Sequence, residues 1–434
     1  MRLRTLTALT VPAGMMLVSC AWGLAARADS APAGKAGAPV PLGADRPLVT
    51  VPLPDPPAGA AIPFSFDDGK SGWVARVPGG GALPSPAFGD GRLYVSPGGS
   101  ATFYALDAET GRLAWTNGLA DGGPSAPVYD KGNVMFNTGS CTLYVLDAKT
   151  GAKRWTRWLG SHVLAQPAYA DGLIYAAYPA SDGVRLGAFR LEDGKPAWEK
   201  VIPGELMSAP VIDGDSVYLT SVDGTTLRFA RKDGTPVWSA ALGGTSAPWV
   251  SGGELFLSRA ADGGAASELQ VALSAATGKP ARVLRTADAS YFAGGSRALD
   301  ARLEGSRPVV LGGRRFDTMA GAIVAADPRG GAPLWERRYT EGAGTRALTA
   351  PAVAGSMIFF STYGGDLYAL DTDTGMTVWS YRLGAAVQFQ PIVARGWVYV
   401  ATNDGRVVGL SLADASLDGW HMWGGNPAHN GPVL

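Results

Sequence analysis

Cysteine is nearly absent from this 434-residue chain: Cys20 and Cys141 are the only two, so no disulfide framework holds it and no adjacent pair exists. Histidine is almost as scarce. Of His162, His421 and His429, the last two lie in a Gly-Asn-Pro segment, and nothing nominates a third ligand for zinc. Charged residues are 17% of the chain and sum to zero, below the usual quarter and without the basic stripe that nucleic acid requires. Beyond the N-terminal segment no apolar run is long enough to cross a membrane. No amphipathic stretch of helical length appears in the mature chain. There is no G-x-S-x-G elbow for a serine nucleophile, and Gly79 to Gly81 lack the strand–helix setting of a phosphate loop. These absences point to a non-catalytic protein with no cofactor and no metal.

What the chain has instead is a repeat. Residues 103–115 read FYALDAETGRLAW, 143–155 read LYVLDAKTGAKRW and 367–379 read LYALDTDTGMTVW. Trp73, Trp115, Trp155, Trp198 and Trp238 recur every 40 to 43 residues; Trp335 follows 97 residues later, then Trp379 and Trp420 after 44 and 41. Eight units fit this spacing, with one anchor missing near Val283, where SAATGKPARV keeps the turn and not the ring. Each unit holds short Val-, Tyr- and Leu-rich runs split by Gly and Asp, which read as antiparallel strands. A unit of this size cannot bury its own apolar face and must stack on its copies. The expectation is an all-β fold, an eight-bladed β-propeller of four-stranded antiparallel blades.

The recurring polar letters have a structural reading. Asp107, Asp147 and Asp371 accept backbone N–H bonds of the turn that follows, and the Gly of each T-G pair supplies a positive φ. The tryptophans fill the gaps between blades, with their N–H on a backbone acceptor. One role repeated at every unit is architecture, not catalysis.

ALDAETGRLAW (105–115), VLDAKTGAKRW (145–155) and ALDTDTGMTVW (369–379) resemble the repeat of pyrroloquinoline-quinone (PQQ) enzymes, A-x-D-x-x-T-G-x-x-x-W. FRLEDGKPAW (189–198) and FARKDGTPVW (229–238) are looser matches that have lost the Thr. The resemblance covers nearly all of residues 64–434 and implies eight blades. It also implies an active site with a quinone, calcium and adjacent cysteines, and this chain has no such cysteine pair. WD40 repeats fit less well, because no Trp-Asp dipeptide occurs. Residues 63–79 carry only the last turn and Trp strand of a unit, while 391–412 have inner strands and a degenerate finish. The N-terminal strand is therefore expected to close the last blade.

At the N-terminus, Arg2 and Arg4 precede an apolar stretch, so residues 1–28 read as a targeting segment. Leu17-Val18-Ser19-Cys20 fits a bacterial lipobox with Cys20 lipidated; the rival is ordinary cleavage after Ala26-Arg27-Ala28. Residues 29–62 are rich in Pro, Ala and Gly and read as a tether, leaving 63–434 for the propeller.

The expected protein is a monomeric envelope scaffold that binds a protein partner and touches the membrane only through its lipid. It would be an outer-membrane lipoprotein facing the periplasm, or a periplasmic or secreted protein if cleaved after Ala28. Lipobox, tether and repeats together resemble the lipoprotein subunits of the outer-membrane β-barrel assembly machinery. Two other readings remain: a quinone or small-molecule binder, and an extracellular or sensory module for carbohydrate or peptide. Ala260 to Thr318 is the least regular stretch, and its Tyr291, Phe292, Arg314 and Arg315 are candidate partner-binding residues. A drifted blade with longer loops is the plainer account of the same stretch.

Overall fold

The computed structural model describes residues 40–433 except 51, 67–68, 161–164, 207, 262–266, 289–307, 320 and 340–347. Tyr291 and Phe292 lie outside the described residues.

Strands of the alternating runs pair in sequence order into eight antiparallel sheets, and no helix forms among the described residues. Blade one comprises Ala87–Gly89, Arg92–Val95, Thr102–Asp107 and Leu113–Gly118 from the axis outward. Blades two to seven repeat the order, ending on the outer strands Lys153–Trp158, Pro196–Ile202, Pro236–Ala241, Pro280–Asp288, Trp335–Arg338 and Thr377–Arg382. Innermost strands of neighbouring blades touch at most seams, and that of blade eight, Ile392–Ala394, meets that of blade one, so the ring closes.

The first hairpin of several blades turns on two residues, both with positive φ, as at Asp171–Gly172 (47° and 82°). That is the type I′ geometry whose twist matches the strands it joins. Cys141 takes φ +66° in a turn where Gly224, Gly365 and Gly405 stand at the matching place of other blades. It is fully buried in the core of blade two.

Blade eight is completed from the other end of the chain. Ser71–Arg76 pairs antiparallel with Arg406–Ser411, Trp73 lying opposite Gly409, and Ala61–Ser65 adds a fifth strand outside it. Trp73 is thus the anchor of the last blade. Trp420, which the spacing counts as the eighth, is not a blade anchor: it lies past the final strand, bridged to Val393.

The proposed tether does not run to residue 62. From Val40 the chain is laid along the outer edges of blades six, seven and eight. Val40–Pro41 pairs in parallel with Arg337–Arg338, and Leu42 N donates to Arg338 O (2.8 Å). Asp45 Oδ2 accepts the Thr377 N–H (2.7 Å), and Val49 exchanges bonds with Ser380 and Arg382 (3.1 and 2.9 Å). Proline lacks an N–H but suits an extended strand at a sheet edge. The non-proline residues between supply the donors, and Leu42, Leu48, Val49 and Leu53 the apolar contacts.

Candidate functional site

The residues singled out by the repeat meet at the seams between blades. Asp107 Oδ1 accepts both the Thr110 N–H (2.9 Å) and its hydroxyl (2.7 Å). Asp147 does the same with Thr150 (2.9 and 2.9 Å) and Asp371 with Thr374 (2.8 and 2.7 Å). The Thr150 hydrogen bond holds the Asp147 carboxyl below its ordinary range. Each such turn delivers a glycine beneath the indole of the preceding blade. A Cβ on Gly111 would stand 2.3 Å from Trp73 Cε3, with φ at +69°. Only glycine fits there.

The indole N–H then crosses the seam to a carbonyl of the next blade. Trp73 donates to Ala108 O (3.1 Å), Trp115 to Ala148 O (3.0 Å) and Trp155 to Leu191 O (2.7 Å). Trp198 reaches Arg231 O (2.8 Å), Trp238 reaches Ala275 O (3.0 Å) and Trp335 reaches Thr372 O (3.0 Å). Trp379 is buried against Phe359 and Tyr381.

The missing anchor is one residue earlier than Val283. Counting four from the turn glycine Gly278 gives Arg282, which pairs with Ala272 as Trp115 pairs with Ala105. Arg282 forks onto Glu254 (2.6 and 2.7 Å) and donates to Pro328 O (3.0 Å), the carbonyl that matches Ala108 O at the Trp73 seam. A bulge beside Val271 leaves Leu284 buried, so a guanidinium supplies the hydrogen bond and Leu284 supplies apolar bulk. Val283 itself is 56% exposed. Arg282→Ala is expected to cost about 1–3 kcal/mol, for lost charge-assisted bonds, and Val283→Ala to stay within about 0.5 kcal/mol. Denaturant unfolding checks both; equal effects would put the anchor elsewhere.

Arg314 and Arg315 do not form a pair at the rim. Adjacent strand residues point to opposite faces. Arg314 reaches Asp373 of blade seven, whereas Arg315 is 1% exposed and bonds Asp317 (3.2 Å), which also holds Arg285 (2.7 Å). Arg315 therefore has no surface to offer a partner.

At one face of the ring the axis is occupied by the chain's own C-terminal segment, 419–433. It contacts the innermost strands of five blades. Phe88 N donates to His421 O (2.6 Å), Tyr169 N to Pro427 O (2.7 Å) and Ile212 N to Ala428 O (2.9 Å). Trp420 bonds Val393 and stacks on Trp249 of blade five (centroids 5.8 Å apart). His429 is the pin of this segment: Nδ1 lies 2.7 Å from Trp423 O and Nε2 3.0 Å from Pro167 O. Burial pushes its pKa down to about 4 against the pull of those two carbonyls. The sequence signals the indole seams and the Asp turns; Arg282 follows the same count once aromaticity is not demanded.

Together these features define an eight-bladed propeller built of quinoprotein-type repeats, with its blades fastened by indoles and its axis capped by its own tail. A family model described as PQQ_2, outer membrane protein assembly factor BamB, matches residues 61–279, 145–314 and 319–428, and the chain belongs to this family. It is 27% identical over 250 residues to outer membrane protein assembly factor BamB of Yersinia pestis, covering 56% of this chain and 50% of that protein. The chain spans about a quarter to a half of the length of the curated relatives it matches. The crystal structure of BamB from Moraxella catarrhalis superposes with a TM-score of 0.59 at 19% identity, over 81% of this chain and 98% of that one. Quinohemoprotein alcohol dehydrogenase from Comamonas testosteroni superposes at 0.56 with 13% identity, over 79% of this chain and 76% of that one. At these identities the solved structures show the shared fold.

Proposed function

We propose that this protein is a non-catalytic scaffold of the bacterial envelope that assists the assembly of outer-membrane proteins. The observation that carries the reading is the family match across almost the whole ring, to a model described as an outer-membrane protein assembly factor. The site geometry supports it. The repeated Asp, Thr, Gly and Trp residues are engaged in turns and seams, and the tail fills one mouth of the axis, where a ring protein would otherwise admit a ligand. Exposed blade edges and loops are left as the working surface, which suits docking of polypeptides. In this reading the protein acts as a monomer, with protein partners and no cofactor. Cys20 is the lipidated residue that fastens it to the periplasmic side of the outer membrane.

The quinoprotein dehydrogenases share the fold, and function is carried by sites, not folds. The scaffold reading is tested in the source organism by deleting the gene and measuring folded β-barrel proteins in the outer membrane. Their level is expected to fall and to be restored by the wild-type chain. Unchanged barrel levels would contradict the assembly role.

A further inference from the structure

The seam between blades two and three differs from its neighbours in two ways. The first is the seat of its indole. An ideal Cβ on Gly194 would lie 3.0 Å from the nearest Trp155 ring atom, whereas at the five other tryptophan–glycine seats the same distance is 2.3–2.5 Å. Trp155 sits higher on its glycine and, like Trp115 and Trp238, is only partly buried, while its N–H still reaches Leu191 O at 2.7 Å.

The second difference is in the turn. Arg190 stands where Asp107, Asp147 and Asp371 open the turn in other blades, with the same backbone bonds to the residues four and five further on. Its guanidinium forks onto Asp193 (3.1 and 2.8 Å), so the turn carries a cation where Asp107, Asp147 and Asp371 carry a carboxylate. Opposite, Arg154 of blade two is held by Asp147 at 2.8 Å.

Between these residues lies an open cleft of about 560 Å³. Trp155 and Leu173 form its apolar part, and Arg154, Arg190, Asp171 and Glu192 its rim. With their ion partners Asp147, Asp193 and Arg231 these residues make three cations and four carboxylates, near balance, which disfavours a strongly charged ligand of either sign. A partly exposed indole offers an apolar surface to the C–H side of a pyranose ring. Planar guanidinium groups already fixed by carboxylates match pairs of neighbouring hydroxyls, as polar groups placed around an apolar floor do in ligand sites.

We propose that this cleft is a saccharide-binding site, with a neutral sugar ring against Trp155 and its hydroxyls on Arg154, Arg190, Asp171 and Glu192. The proposal does not rest on the scaffold reading, and its failure would leave that reading untouched.

The test is a titration of the ¹⁵N-labelled protein with chitotriose and, separately, maltotriose, read at the indole N–H resonances. The Trp155 signal is assigned from its loss in Trp155→Phe or, should that variant not fold, from the indole signal that moves in Arg154→Gln. The Trp155 indole is expected to shift saturably with at least one of the two sugars. Arg190→Ala and Glu192→Ala should each weaken binding by about five-fold or more, as loss of a rim hydrogen bond would. Arg185→Ala, at a surface ion pair outside the cleft, serves as the control and should not change it. No shift with either sugar at millimolar concentration, or a shift confined to other indoles, would overturn the proposal. Co-sedimentation with isolated cell-wall glycan then separates the sources. Pelleting of wild type and not Arg190→Ala identifies polymeric glycan, and binding of free sugar without pelleting identifies a soluble oligosaccharide.

Discussion

Trp73→Ala is expected to lower the stability of the folded chain by about 3–5 kcal/mol, the usual range for removing a large buried aromatic. Trp73 is 1% exposed and does two jobs at once. Its strand completes blade eight against Arg406–Ser411, and its ring spans to blade one, over Gly111 and onto Ala108 O. The substitution therefore opens a cavity at the seam where the two ends of the ring are joined. Gly409 lies directly under the other edge of the ring, where a Cβ would meet Trp73 Cε2 at 2.5 Å, so no small rearrangement refills the space. The partly buried Trp155 should cost less when changed to alanine. Denaturant unfolding of the two variants checks the order; a Trp73→Ala effect below that of Trp155→Ala would mean that closure is carried by backbone pairing alone.

The second large effect is one of pH. His429 is fully buried with its pKa held down at about 4, and an unfolded imidazole titrates near 6.5. Between these values the unfolded chain binds a proton that the folded chain does not. Stability from this residue is complete above about pH 6.5 and declines as pH falls toward 4, by about 3 kcal/mol in all. The effect acts on the tail that caps the axis, since His429 bonds it to Pro167 at the entry to blade three. Comparing unfolding of wild type and His429→Gln from pH 7 to 4 isolates it from the carboxylates: the wild type should lose stability more steeply. An NMR titration of wild type gives the same answer without a variant, and a His429 that titrates near 6.5 would contradict the account.

Much of this architecture was legible in the sequence because its unit recurs around the ring, three times in nearly the same letters. A repeated L-D-x-x-T-G-x-x-x-W string leaves little choice of turn, strand or seam, and the half-unit at 63–79 announces closure by the N-terminal strand. Its misreadings came from places where one rule hid another. Trp420 keeps the spacing but has no strand to stand on, because Trp73 already fills the last blade. Arg282 keeps the position but not the ring, so a search for aromatic residues passes over it and settles on its neighbour. Arg314 and Arg315 look like a patch in a string of letters, and strand alternation sends one of them inward. The belt from Val40 was hidden by its prolines. Composition describes what a segment does in isolation, not what a neighbouring sheet edge offers it. The axial cap depends on contacts between residue 429 and residue 167, which no local pattern encodes.

The scaffold reading is tested most directly by crosslinking in living cells of the source organism, followed by affinity capture of this chain and mass spectrometry of what is attached. The account predicts repeated recovery of a subunit of the outer-membrane β-barrel assembly machinery. Repeated capture of the folded chain without any such subunit would contradict it.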